Sequence, residues 1–113
     1  MIIAFASKNH LGLNSDLGAT IAQSAYFTVV ELEGERLKKV TNLENAFTAG
    51  AVLDGEEVAQ VLASTGAEML VVGSIENEAV TRALLQRGIA LREIPVARVA
   101  DVLKKIQNSE RSE

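Results

Sequence analysis

The sequence contains no cysteine and no tryptophan, and it has only one histidine and one proline among 113 residues. Without cysteine the chain cannot form disulfide bonds, thiolate zinc sites or iron–sulfur clusters ligated by its own thiolates. His10 is the single imidazole, and no spacing of serine and aspartate supports a catalytic triad with it. A lone loop histidine is usually solvent-exposed, so an exposed role and a ligand role both stay open for His10.

Positive charge is also scarce. The formal net charge is −4 and the pI is about 5.0, whereas proteins that neutralise nucleic-acid phosphates present a basic face. The nearest basic cluster, Arg36 with Lys38 and Lys39, is more typical of a solvated edge strand. No apolar run approaches the roughly 20 residues of a membrane span, and no signal peptide is evident. We expect no nucleic-acid partner, no membrane partner and a cytoplasmic location.

Nucleotide-binding and hydrolytic motifs are absent as well. The chain has neither a P-loop nor a GxGxxG motif. Asp16, Asp54 and Asp101 could suggest a carboxylate cluster for metal-assisted hydrolysis. Asp54 is instead predicted to cap a helix, and Asp101 to lie on the outer side of an amphipathic helix. We therefore expect the protein not to be an enzyme, and a carboxylate hydrolase is the least favoured function.

The chain does contain enough apolar material for a core. Hydrophobic residues make up 48% and charged residues 23% of the sequence, which is typical of a folded globular domain. The length fits one domain of common size. We predict a single domain over residues 1–107 and a frayed tail over residues 108–113.

The first half of the sequence predicts three strands. An unbroken apolar run predicts a strand buried on both faces at 2–7. Aromatic and β-branched residues predict a second strand at 26–33, whose first two residues are both aromatic and must face opposite sides of the sheet. After a turn at 33–35 the chain is predicted to return as a third strand at 36–41, which makes an antiparallel hairpin.

The second half predicts helices that alternate with strands. The predicted segments are a helix from Asp54 to a stop at Gly66, a strand at 68–72, a helix at 76–87 that stops at Gly88, a strand at 89–94, and a last helix with an apolar stripe of Val99, Val102, Leu103 and Ile106. Strands joined through helices pair in parallel with right-handed crossovers. The expected fold is therefore α/β: a mixed five-stranded sheet, formed by an antiparallel hairpin and parallel βαβ units, with helices on its faces.

The expected fold also predicts where a ligand would bind. In open α/β sheets, ligands lie beyond the carboxyl ends of the parallel strands. We expect the loop 10–26, the turn 73–75 and the stretch 48–50 to meet there. Gly73 would let the backbone approach a ligand closely, and Ser74 could cap the following helix, whose N-terminus favours an anion. Ordinary strand-to-helix turn chemistry is an alternative explanation of both residues.

Residues 13–27 read LNSDLGATIAQSAYF, and with the predicted element order they resemble the dinitrogenase iron–molybdenum cofactor biosynthesis family. The first loop of that family runs approximately LDSPxSEHFGRAPYF, which shares Leu13, Ser15, Tyr26 and Phe27 with this chain. Further similar positions are Ala49-Gly50, Val58-Ala59-Gln60, Gly66, MLVVG at 69–73, Ile75 and Gly88-Ile89. The resemblance covers nearly the whole chain and implies a domain of ribonuclease H-like topology.

The chain departs from the family pattern where the family's functional side chains stand. The family's loop histidine falls on Thr20, and its Phe-Gly-Arg falls on Ile21, Ala22 and Gln23. A hydroxyl is a poor ligand for soft metal–sulfur clusters, and loss of the arginine removes a bidentate contact to an anion. His10 could substitute from earlier in the same loop.

The resemblance implies a non-catalytic binding domain that holds iron–molybdenum cofactor, another metal–sulfur cluster or a small anionic ligand, and a domain without any cofactor stays open. The expected cofactor-binding residues are His10, Ser15, Thr20, Ala49, Gly50, Gly73 and Ser74, and no metal ligand is assigned. The alternative is a protein-interaction or assembly domain that kept the fold and lost the cofactor site. The sequence leaves the ligand, any protein partner and the oligomeric state open.

Overall fold

The structure is a computed structural model that describes residues 1–21, 23–45, 55–75, 78–95 and 97–111. The strands are β1 (Ile2–Ser7), β2 (Tyr26–Glu33), β3 (Arg36–Glu44), β4 (Met69–Val72) and β5 (Ala90–Glu93). The helices are α1 (Gly55–Ser64), α2 (Glu78–Gln86) and α3 (Val99–Arg111), and a short 3₁₀ helix spans Gly12–Asn14. No helix in these ranges is long and apolar enough to cross a membrane.

The five strands form one mixed sheet in the order β3-β2-β1-β4-β5. β2 is antiparallel to both of its neighbours, whereas β1, β4 and β5 are parallel. This confirms the predicted hairpin and parallel βαβ arrangement, and the ribonuclease H-like label stays a prediction. Because β3 and β1 both run antiparallel to β2, the carboxyl ends of β1, β3, β4 and β5 lie at the same end of the sheet. The predicted ligand site belongs to this end.

The two faces of the sheet bury separate cores, and the central strand β1 contributes to both. Ala4 and Ala6 of β1 pack in the core beneath α1 and α2, together with Phe27. Ile3 and Phe5 point to the other face and pack in the core beneath α3. All four of these β1 side chains are fully buried, which confirms that the first strand is buried on both faces.

The observed element boundaries extend the predictions in two places. β3 continues to Glu44 because residues 42–44 keep pairing with the start of β2, up to Tyr26↔Glu44. The prediction that the strand ends at Thr41 was wrong. α3 continues to Arg111, so residues 108–111 are helical although they were expected to belong to a frayed tail.

The predicted helix ends are confirmed where the structure describes them. Gly66 and Gly88 have φ values of +81° and +73°, the left-handed conformation that glycine adopts without strain at the end of a helix. α1 begins at Gly55 and α2 at Glu78. The predicted cap Asp54 and the predicted start of the second helix at Glu76 lie outside the described residues.

Burial on α2 provides a direct test of the core. Leu84 of α2 is fully buried in the core that α1 and α2 form with the sheet, whereas its neighbour Leu85 is 62% exposed. Leu84→Ala should lower the free energy of unfolding by about 2–5 kcal/mol, because it removes buried methyl groups and leaves a cavity. Leu85→Ala should change the free energy of unfolding by no more than about 0.5 kcal/mol. Urea denaturation of both variants measures the difference, and equal effects would contradict the assigned face of α2.

Candidate functional site

The long loop that follows β1 turns back and pairs with the end of that strand. Lys8 donates its N–H to the carbonyl oxygen of Asp16 at 3.0 Å, and Gly18 donates its N–H to that of Ala6 at 2.8 Å. Ser7 and Leu17 form the antiparallel bridge between these two hydrogen bonds. We call residues 15–19 the strap, because this segment crosses the carboxyl end of the sheet.

The strap is also bound along its other edge, by the segment that leads into α3. Leu17 donates its N–H to Ala97 at 2.8 Å, and Val99 donates its N–H to Ser15 at 2.9 Å. The Leu17 side chain is fully buried in the core beneath α3. The first helical residue of α3 is therefore tied to the loop that follows β1.

A third set of hydrogen bonds joins the strap to the turn after β4. Gly73 donates its N–H to Gly18 at 3.0 Å, and Ser74 donates its N–H to Ala19 at 2.7 Å. A Cβ atom at Gly73 would lie 2.7 Å from the Ala19 carbonyl oxygen, which is closer than real side chains approach. The expected meeting of the first loop with the 73–75 turn is confirmed. The group that approaches Gly73 is the protein's own backbone, and a contact of Gly73 with a ligand stays a prediction.

The strap therefore decides which backbone donors remain for a ligand. The N–H groups of Gly18, Gly73 and Ser74 are engaged within the protein. The N–H groups of Ala19 and Thr20 donate no hydrogen bond within the described part of the chain, and both residues are partly exposed. Two consecutive free N–H groups can bind an anion, because each offers a fixed positive end of a peptide dipole.

Two predicted hydroxyls lie next to these free donors. Ser74 Oγ donates to the Ala19 carbonyl oxygen at 3.2 Å, and Thr20 Oγ1 accepts the N–H of Gln23 at 3.2 Å. The structure thus brings Thr20 and Ser74 together around Ala19. Ala49 and Gly50, which were also expected at this site, lie outside the described residues.

Ser15, the third hydroxyl residue of the predicted site, forms its hydrogen bonds inside the loop. Its side chain is fully buried. Ser15 Oγ accepts the N–H of Asn9 at 3.2 Å and donates to the Asp16 carbonyl oxygen at 3.1 Å. A fully buried hydroxyl reaches a ligand only if the loop opens, so the direct role of Ser15 in binding stays a prediction.

His10 lies on the half of the loop that covers the α3 face of the sheet. Its exposed ring packs edge-on against Tyr26, with ring centroids 6.3 Å apart and an interplanar angle of 66°. Asn42 donates to the His10 carbonyl oxygen at 2.9 Å, and Thr28 and Ser7 continue this polar chain into the core at 3.3 Å and 2.9 Å. The backbone of His10 is held in place, and its imidazole remains accessible.

Two further polar residues shape the site and were not selected from the sequence. Ser24 is fully buried, and its Oγ donates to the Thr20 carbonyl oxygen at 2.6 Å. Asn45 is 5% exposed, and its side-chain amide donates to Ile21 at 2.8 Å and to Ser24 at 2.6 Å. Both are common loop residue types, so only the buried position, which depends on the tertiary fold, distinguishes them.

The available donors fit one kind of ligand better than another. The chain has no thiolate and a single imidazole, and no group of three or more His, Asp or Glu side chains in the described ranges could hold a metal ion. Soft metals prefer thiolate and imidazole ligands. These residues do not fit a metal ion that the chain must ligate by itself. They do fit a preassembled anionic cluster that brings its own sulfides and accepts hydrogen bonds.

The contact between the strap and the turn after β4 can be tested with one methyl group. Gly73→Ala should lower the free energy of unfolding by about 1–3 kcal/mol, because the new Cβ overpacks against the backbone of Ala19. Ser74→Ala is the matched control, because it keeps the N–H bond to Ala19 and loses only one exposed hydroxyl contact. Denaturation curves and amide exchange at Gly73 and Ser74 measure the effect. Wild-type stability in Gly73→Ala would show that the strap can move away at no cost.

Solved structures share this fold at low sequence identity. The protein PH0822 is 21% identical, with a TM-score of 0.83 over 96% of this chain and 92% of its own. The apo form of the orange protein from Desulfovibrio gigas is 22% identical, with a TM-score of 0.80 over 96% of this chain and 88% of its own. A Thermotoga protein proposed to be NifB is 21% identical, with a TM-score of 0.77 over 96% of this chain and 89% of its own.

No curated protein matches the sequence at a significant level. At these identities the solved structures establish the fold alone. The family is established by the sequence itself, since the family model described as dinitrogenase iron–molybdenum cofactor matches residues 1–109. This match spans both the strap and the whole sheet. The chain therefore belongs to the dinitrogenase iron–molybdenum cofactor family.

Proposed function

We propose that this domain is a non-catalytic carrier that binds a preassembled, anionic metal–sulfur cofactor at the carboxyl end of its sheet. The cargo is iron–molybdenum cofactor or a related metal–sulfur cluster. The observation that carries the proposal is the free N–H pair of Ala19 and Thr20, which lies in the first loop of a member of the dinitrogenase iron–molybdenum cofactor family.

Hydrogen bonds, rather than metal–protein bonds, would provide most of the affinity. Ala19, Thr20 and Ser74, which carry the two free N–H groups and two hydroxyls, are partly or fully exposed, and Ser74 Oγ donates to the Ala19 carbonyl oxygen. Hydrogen bonds to a charged acceptor each contribute about 1.5–3 kcal/mol. The imidazole of His10 is accessible on the earlier half of the loop, on the α3 side of the sheet, and its contribution to binding stays a prediction. Binding of this kind suits a carrier, because a cluster without several protein ligands can leave again.

The similar solved structures are compatible with this role. The orange protein is known in an apo form, so a protein of this fold folds without a bound group. In the present chain the strap is held by backbone hydrogen bonds on three sides. The binding surface is therefore expected to exist before the cargo arrives, which reduces the entropy that binding has to overcome.

Anaerobic titration with tetrathiomolybdate and with isolated iron–molybdenum cofactor tests the carrier function. Visible absorbance and metal analysis after desalting should show stoichiometric retention by the wild-type protein. Thr20→Val and His10→Ala should each weaken binding about tenfold, as expected for the loss of one contact to a charged ligand.

Thr41→Val is the matched control for Thr20→Val, because Thr41 is exposed on the edge strand β3, away from the strap. It should bind both probes as the wild type does. Absence of retention by the wild-type protein would contradict the carrier function. Equal weakening by Thr20→Val and Thr41→Val would place binding away from the strap.

A second candidate function is an interaction domain that pairs through β3. This strand is a nine-residue edge, and Leu37 and Val40 are 41% and 37% exposed on it. Lys38 and Lys39 lie on the same strand, and the pairing register shifts opposite them, between Glu31 and Leu32. Charged side chains and irregular pairing are the features by which edge strands avoid adding a further strand. The carrier function is therefore the better supported of the two.

The edge strand makes a prediction of its own. Sedimentation velocity over a wide concentration range should show a monomer, because the two lysines and the irregular register oppose pairing of β3 with a second copy. A dimer that dissociates in Val40→Lys, and persists in the control variant Leu85→Lys on α2, would favour the interaction domain instead.

A further inference from the structure

The turn that presents the free N–H groups is attached to the end of β3 through one buried side chain. Asn45 follows directly after β3 and is 5% exposed. Its amide nitrogen donates to the carbonyl oxygens of Ile21 at 2.8 Å and Ser24 at 2.6 Å, and its backbone N–H donates to Ala25 at 3.0 Å. One residue thus holds three carbonyl groups of the loop.

A second hydrogen bond connects the residues held by Asn45 to Thr20, which carries one of the two free N–H groups. Ser24, whose carbonyl group is held by Asn45, donates its Oγ to the Thr20 carbonyl oxygen at 2.6 Å. A Cβ atom at Gly18 would lie 1.7 Å from Ser24 Oγ, so the absence of a side chain at Gly18 admits this hydroxyl beneath the strap. Asn45 and Ser24 thus form a short chain of hydrogen bonds that ends at the carbonyl group of Thr20, the residue that carries one of the two free N–H groups.

We propose that Asn45 is the positioning residue of the site, and that its side-chain amide holds the backbone of Ile21 and Ser24 so that Ala19 and Thr20 face a ligand. This inference rests on the proposed function, since the ligand is the anionic cluster. The role requires a donor in the side chain at this position, because the amide nitrogen of Asn45 binds two carbonyl oxygens. An aliphatic side chain would remove the side-chain donor from both carbonyl oxygens, and a carboxylate would repel them.

The donor requirement gives a pH signature that a purely structural role would not produce. In Asn45→Asp, burial among carbonyl oxygens raises the pKa of the introduced carboxyl above its value in the unfolded chain. The charged form therefore disrupts the turn at neutral pH. The disruption diminishes as the pH falls through the raised pKa, because the protonated carboxyl regains one O–H donor. Asn45→Leu has a similar shape and no titrating group, so its effect should not change with pH.

Amide hydrogen exchange between pH 4 and pH 8 tests this directly. We expect the N–H groups of Gln23 and Ser24 to exchange at least about tenfold faster than wild type in both variants at pH 8, and to recover partly at low pH in Asn45→Asp alone. The N–H groups of Lys8 and Leu17, which bind the other edges of the strap, should keep their protection. In the same variants, tetrathiomolybdate binding should weaken in parallel with the loss of protection at the turn.

Three outcomes would overturn the inference: unchanged protection of Gln23 and Ser24, an equal loss of protection at the turn and throughout β1, or the same pH dependence in both variants. If either variant fails to fold, Asn45→Ala replaces it, because it removes the amide donors with the smallest side chain; unchanged protection of Gln23 and Ser24 in this variant would also overturn the inference. If the wild-type protein binds no tetrathiomolybdate, the carrier function fails, whereas the exchange measurements still decide whether Asn45 positions the turn.

Discussion

The peptide groups of Gly18 connect the parallel strands β1 and β4 beyond their carboxyl ends. Its N–H binds the carbonyl oxygen of Ala6 at the end of β1, and its carbonyl oxygen accepts the N–H of Gly73 after β4. β1 and β4 pair directly only from Ile3 to Phe5 on the β1 side. Past that point the strap lies between the two strand ends. The backbone groups of Ala6, Gly73 and Ser74 form hydrogen bonds with the strap rather than with the neighbouring strand.

This constraint determines the character of the candidate site. An open crevice beyond parallel strands would offer several backbone donors and a deep position for a ligand. Here the strap occupies that position, and the donors of Gly18, Gly73 and Ser74 are used within the protein. The free N–H groups lie one step further along the chain, at Ala19 and Thr20, near the surface. A ligand bound there would be held at the rim of the sheet.

The polar groups of the loop divide into two sets with different tasks. Ser15 and Ser24 are fully buried and satisfy carbonyl groups of the loop itself, and Asn45 does the same from the end of β3. Thr20 and His10 keep at least part of their surface accessible. Hydrogen bonds in a dry interior cannot be replaced by water, so the buried set fixes the loop geometry.

The sequence by itself determined the sheet, the order of its elements and the ends of two helices, because apolar periodicity and a left-handed glycine are local signals. The apolar run of β1 and the glycines Gly66 and Gly88 were sufficient for this. It also determined what chemistry is excluded, since a chain without cysteine has no thiolate ligands wherever it folds. The tertiary structure alone decided which backbone donors are free and that Asn45 holds the turn. Such facts depend on hydrogen bonds between residues more than twenty positions apart, such as Asn45 with Ile21, and no local pattern in the sequence records them.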